Sequence, residues 1–167
     1  RRITADALGP RTVQHILVTM GAGAAPPVRG LRPVAAVAPG VAAATGLSLQ
    51  QLAAALVGQL RPAAVVCVDS LCSAEGQRLG RTVQFSDSGL YPAQTDHTRH
   101  LTRDTVGVPV VAAGIPTLMQ AQEGADLVVT PRALDSVIAH GAALLAGSVN
   151  RALQPRLTVQ QLCWLTG

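Results

Sequence analysis

The sequence predicts an α/β fold with a sheet layered between helices, and three observations carry that expectation. Short apolar, partly β-branched runs recur at residues 33–38, 63–68 and 108–113, each with the length of a strand. Helically spaced apolar residues alternate with them, in the order expected of a three-layer α/β domain. Apolar residues make up 49% of the 167-residue chain but aromatics only 2%, so a core of Ala, Val and Leu has to pack helices closely on the sheet. That length fits a single domain over residues 1–167.

Gly9 and Pro10 precede a helical pattern with Val13, Ile16, Leu17 and Met20 on one face, and Pro10 suits the first helical position. Residues 21–30 form a Gly- and Pro-rich connector; a short strand at 33–38 follows and ends at Pro39-Gly40. Ser48 and Gln51 have the spacing of a capping box, ahead of a stripe of Leu49, Leu52, Leu56 and Leu60 that Pro62 closes. The nearly all-apolar run 63–68 reads as a strand buried on both faces, with Asp69 emerging at its carboxyl end. A strand at 81–85 leads to the polar turn Ser86-Asp87-Ser88-Gly89. Residues 90–104, with Asp96, His97, Arg99 and His100, form a long irregular loop before the buried strand at 108–113. In the last long helix Thr130 is the cap and Pro131 the first residue. Leu134, Val137, Ile138, Gly141, Leu144, Leu145 and Val149 form its apolar face, and His140 shares the solvated face with Arg132, Ser136 and Arg151. Thr158 and Gln161 form a second capping box for a short helix carrying Trp164.

The net charge of +4 comes from 13 basic residues, all Arg, that are scattered and not interleaved with aromatics, which argues against direct nucleic-acid binding. No apolar run is long enough to span a membrane and no signal-peptide pattern opens the chain. The three cysteines, Cys67, Cys72 and Cys163, lack a metal-ligand spacing and read as reduced, which points to the cytoplasm. Cys67 falls inside the expected strand as a small core residue, whereas Cys72 is an alternative nucleophile without a local His. The chain opens on Arg1, as a fragment or processed form would.

Two carboxylates stand out. Asp69 at a strand end would face the crevice where α/β sheets collect ligands, and Asp6 beside a helix start would feel the positive end of its dipole. The same residues also fit plainer roles, Asp6 as a helix cap and Asp69 as a turn former.

Six segments in order resemble the germination protease family: TADALGP at 4–10, RPVAAVAPGV at 32–41, VVCVDSL at 65–71, SDSGLYP at 86–92, TVGVPVVAAGIPT at 105–117 and LVVTPRALDSVIA at 127–139. The resemblance implies an α/β/α sandwich with a mostly parallel central sheet, similar to that of hydrogenase maturation endopeptidases. It implies an acid-dependent endopeptidase of the spore core that degrades small acid-soluble spore proteins, with Asp6 and Asp69 as the catalytic pair and a homo-oligomeric assembly. Substrate contacts would fall on Ser86, Asp87, Ser88, Gly89 and Tyr91, with neither a metal nor another cofactor. This sequence departs from the family's pattern in three ways. It starts after the family's upstream strand, it carries Tyr91 where the family has a His, and it passes almost directly from Thr117 to the Thr130 segment where the family has a long insertion. A metal-assisted variant would recruit His97 or His100, and a noncatalytic homologue acting as a binding or assembly module is the alternative. A nucleotide-binding domain is the third option, without a G-x-G-x-x-G or P-loop fingerprint.

Overall fold

A computed structural model of the chain describes residues 4–21, 28–40, 45–91, 100–120 and 128–167. Its sheet is mixed, with four strands among the described residues: β1 (Val65–Ser73), β2 (Gln84–Ser86), β3 (Val110–Gln120) and β4 (Val128–Val129). β1 and β3 run parallel from Val65↔Val110 to Ser73↔Met119, with one register shift between Leu71 and Cys72. β2 and β4 are antiparallel to β3, so the expected mostly parallel sheet holds for the long ladder and not for the two short strands.

Helices α1 (Leu8–Gln14), α2 (Leu49–Leu60), α3 (Arg103–Val106), α4 (Leu134–Leu153) and α5 (Val159–Thr166) pack around this sheet. Alternate sheet residues feed two apolar clusters, as the period-2 direction of strand side chains requires. Val68, Val83, Ala113 and Ile115 join Leu8 of α1 and Ile138, Ala142 and Leu145 of α4. Val65, Cys67, Val110 and Ala112 join Leu49, Ala53 and Val57 of α2 and Val106 of α3.

Both capping boxes form: Ser48 Oγ accepts from the Gln51 N–H at 3.1 Å while Gln51 Oε1 accepts from the Ser48 N–H at 2.9 Å, and Thr158 and Gln161 do the same for α5. The residues of α2 that pack on the core are the half-buried Leu49, Ala53 and Val57, one turn apart; of the expected leucine stripe Leu49, Leu52 and Leu56 are half-buried and Leu60 is exposed. α2 closes on Arg61 in the left-handed conformation (φ 49°) before Pro62.

Other expectations are corrected. α1 ends at Gln14, so Ile16, Leu17 and Met20 lie beyond it, and Pro10 is its third residue, still in the first turn where N–H groups have no helical partner. Residues 33–38 form no strand. Their backbone is tied instead to loop and side-chain partners, the Thr19 and Met20 N–H groups both donating to the Val34 carbonyl. β1 is less buried than expected: apolar clusters pack on both its faces, but it is an edge strand among the described residues, most of its residues are half-buried and Val66 is exposed. β3 is the buried strand and runs to Gln120, well past Ala113. α4 begins at Leu134 with no side-chain cap, because β4 and a turn at Pro131 occupy the preceding residues. The stretch with Asp96, His97 and Arg99, and part of the 21–30 connector, lie outside the described residues.

Two buried amides one turn apart, Asn150 in α4 and Gln154 at its C-cap, anchor the chain that follows α1. Asn150 accepts from the Leu17 N–H at 2.9 Å and donates to the His15 carbonyl at 2.8 Å. Gln154 accepts from the Arg32 N–H at 3.0 Å and donates to the Arg32 carbonyl at 2.8 Å. Each amide thus satisfies a backbone donor and a backbone acceptor, the Arg32 carbonyl accepting from Thr19 Oγ1 as well. Asn150→Ala should destabilise the fold by about 2–4 kcal/mol, because it leaves two backbone groups unpaired. A urea midpoint equal to wild type would show that water replaces the amide without loss.

Candidate active site

Asp6 lies in a 3₁₀ turn, Ala5–Ala7, that runs directly into α1, and its side chain is exposed. The turn is fixed from below. The Ala5 carbonyl accepts two hydrogen bonds, from Ser70 Oγ of β1 at 2.5 Å and from Thr117 Oγ1 of β3 at 3.1 Å. One turn further on, Gly9 sits so close to β1 that an added Cβ would lie 2.8 Å from the Val68 carbonyl oxygen. The segment carrying Asp6 therefore rests on Val68 and Ser70, the residues on either side of Asp69.

Asp69 is the fifth residue of β1, not its end, and pairs with Gly114. The apolar run stops at Val68, but pairing with β3 carries the strand on to Ser73. Asp69 is half-buried and its Oδ1 accepts the Ser70 N–H at 2.8 Å. Alternation puts it on the face of Cys67, whereas Ser70 and Val68 face α1. The two candidate carboxylates thus flank β1, one on the turn lying over the α1 face and one on the opposite face. Gly114 permits this arrangement: a Cβ there would stand 2.5 Å from the Asp69 carbonyl oxygen and 2.7 Å from Leu71 Cγ. Burial, and next the negative charge of Asp69, push the Cys67 thiol up to about 11.

The structure does not bring the SDSGLY turn to these carboxylates. Gln84 pairs with Gly114 and Ser86 with Ala112, so β2 carries the chain toward the amino ends of β1 and β3. There Leu90 is buried with Leu101, Val106 and Val110. The turn is held by its own bonds: Ser86 and Ser88 hydroxyls lie 2.7 Å apart, the Ser88 N–H donates to Ser86 Oγ at 3.2 Å, and the Tyr91 hydroxyl donates to the Ser88 carbonyl at 3.3 Å. Gly89, at φ 108°, packs against the Leu101 carbonyl where no side chain fits. Asp87 is exposed, and the Tyr91 ring meets His100 edge-on with centroids 5.1 Å apart.

His140 is exposed as expected, its Nδ1 held 3.0 Å from Ser136 Oγ and 2.9 Å from the Ser136 carbonyl. It edges a groove of about 290 Å³ between Gly80, Arg81, Thr82 and Val83 on one side and α4 on the other. Cys72 is exposed beyond the register shift in β1. Among the described residues no three His, Cys, Asp or Glu side chains cluster as ligands for a metal ion, and no helix is long and apolar enough to cross a membrane. The sequence marks Gly9 only as a helix-start residue and Thr117 only as the edge of a shortened segment, and gives Ser70 and Gly114 no role of their own. A glycine inside the apolar run AAGI marks close backbone approach and could have flagged Gly114. The two hydroxyl residues carry no comparable signal.

The sequence profile of the germination protease family matches residues 1–123. A germination protease of Halalkalibacterium halodurans is 37% identical over 143 residues, covering 83% of this chain and 37% of that protein. One from Bacillus subtilis is 37% identical over 124 residues, 71% of this chain and 34% of that protein. One from Clostridium perfringens is 28% identical over 211 aligned positions, 96% of this chain and 65% of that protein. The chain spans between about a third and two thirds of the length of these curated relatives. The 211 aligned positions exceed its own 167 residues, so that relative carries segments this chain lacks.

The raised thiol has two consequences. At about pH 8 iodoacetamide should modify the exposed Cys72 and Cys163 well before Cys67, whose thiolate is scarce. The folded value of about 11 stands above the ordinary 9.0, so this contribution to stability is complete below 9.0 and is lost as the pH climbs toward 11. Cys67→Ala should flatten that part of the stability curve. Labelling of Cys67 at the rate of Cys72 would overturn both expectations.

Proposed function

Given that the chain belongs to the germination protease family, we propose that it carries the peptidase site of an endopeptidase acting on small acid-soluble spore proteins, with Asp6 and Asp69 as its aspartate pair. The observation that supports this reading most is the double hydrogen bond to the Ala5 carbonyl, which holds the Asp6 turn against the strand segment that contains Asp69. Two carboxylates in one neighbourhood divide labour: one takes a proton from water while the other, protonated, donates to the carbonyl or leaving nitrogen of the scissile bond. The attacking water would sit at the edge of β1, between the two faces the carboxylates occupy. No cofactor is needed for this chemistry. We further assign the whole protein to the cytoplasm of the spore, a homo-oligomeric state and an α/β/α layering of the domain. Ser86, Asp87, Ser88, Gly89 and Tyr91 would meet the substrate away from the scissile bond, because β2 leads them toward the amino ends of β1 and β3.

That same displacement favours the second reading, a noncatalytic homologue that uses the SDSGLY turn for binding alone. One experiment separates the two. Asp6→Asn and Asp69→Asn should each lower cleavage of a small acid-soluble spore protein by about 10²-fold or more, with circular dichroism unchanged. Cleavage at the wild-type rate in either variant removes the pair from the mechanism; a wild-type protein that binds the substrate but never cuts it supports the noncatalytic reading.

A further inference from the structure

Ser70 touches both candidate carboxylate segments at once. Its N–H donates to Asp69 Oδ1 at 2.8 Å, and its hydroxyl donates to the carbonyl of Ala5, the residue before Asp6, at 2.5 Å. We infer that Ser70 is the positioning residue of the aspartate pair, with Thr117 as its support from the neighbouring strand; this rests on the peptidase reading above. Ser70 follows Asp69 in β1, so one of its bonds orients the Asp69 carboxylate and the other ties the backbone just before Asp6 to the same strand. Thr117 Oγ1 donates to the same carbonyl at 3.1 Å and is fully buried, so it has no other solvent partner to turn to. The carbonyl has two lone pairs, and the two hydroxyls, one from β1 and one from β3, occupy both. The turn is thereby indexed to the strand pair and not to one strand. Gly9 against the Val68 carbonyl limits rotation of the same segment about that point. Misplacing a reacting group by a fraction of its bond length to substrate is costly in rate and cheap in binding, so the effect belongs in kcat.

The test compares Ser70→Ala, Ser70→Thr and Thr117→Val in the protein as it occurs naturally. Ser70→Ala should lower kcat by about tenfold or more while KM stays within about twofold, and Ser70→Thr, which keeps the hydroxyl, should recover most of the loss. Thr117→Val should lower kcat by about threefold. Amide exchange at Ala7, whose N–H closes the turn onto the Thr4 carbonyl, should quicken by about tenfold in Ser70→Ala with the unfolding midpoint little changed. Wild-type kcat and wild-type exchange in Ser70→Ala would overturn the assignment, as would equal losses in Ser70→Ala and Ser70→Thr. If Asp6→Asn and Asp69→Asn remain active, the pair is not catalytic and the peptidase reading fails by itself. The exchange measurement then still decides whether Ser70 fixes the Asp6 turn.

Discussion

The parallel pairing of β1 with β3 is the constraint on which everything else in this chain hangs. Parallel strands need a long connection, and here residues 74–109 supply one that contributes β2 to the far edge of β3 and α3 to one face. The ladder has to close tightly at its middle, where Gly114 lies against the Asp69 carbonyl and Leu71. A larger residue at Gly114 would push the strands apart at the candidate site itself. With the pair closed, odd and even residues divide cleanly between the α1–α4 cluster and the α2–α3 cluster, and both cores form on one scaffold.

How much of this was legible in the sequence depended on how local the cause was. The capping boxes at Ser48 and Thr158 are closed within four residues, and they form as read. Asp69 was legible as a residue at a change in composition, but its place inside a strand was not. The strand continues because β3 offers it a partner, and no property of residues 70–73 announces that partner. Residues 33–38 fail in the opposite direction: they have strand composition, but Val34 bonds to Thr19 and Met20 and no ladder forms there among the described residues. The start of α4 was misplaced for a similar reason, since Thr130 and Pro131 carry a helix-start signal but follow β4 too closely to begin the helix. The family's ordered blocks carried the site reading further than spacing could, because Asp6 and Asp69 are 63 positions apart and no local pattern links them; the hydrogen bond from Ser70 to the Ala5 carbonyl ties their two segments only in the fold.

Surface chemistry completes the picture. Phe85 on β2 and Val159, Trp164 and Leu165 on α5 are exposed, which is an unusual use of the few large side chains this chain possesses. Burial falls mainly to Leu, Val, Ile and Ala, and four buried polar residues, Thr19, Thr117, Asn150 and Gln154, finish the interior with hydrogen bonds where apolar volume is short. Specific bonds, more than bulk, define where the amino-terminal segment lies.

The amides of α4 set an order of assembly. Asn150 reaches back 133 positions to Leu17, and Gln154 reaches 122 positions to Arg32. Contacts of that span close late, after the shorter loops have formed. On a ribosome the first residues of this chain would therefore emerge long before the helix turn that holds them in place. The Asp6 turn gains its neighbours Ser70 and Thr117 earlier than its flank gains Asn150, so a nascent chain stopped short of α4 would hold the turn at one end only. The last anchor of the amino-terminal segment thus comes from α4 and the residue after it, which contribute no candidate catalytic group of their own.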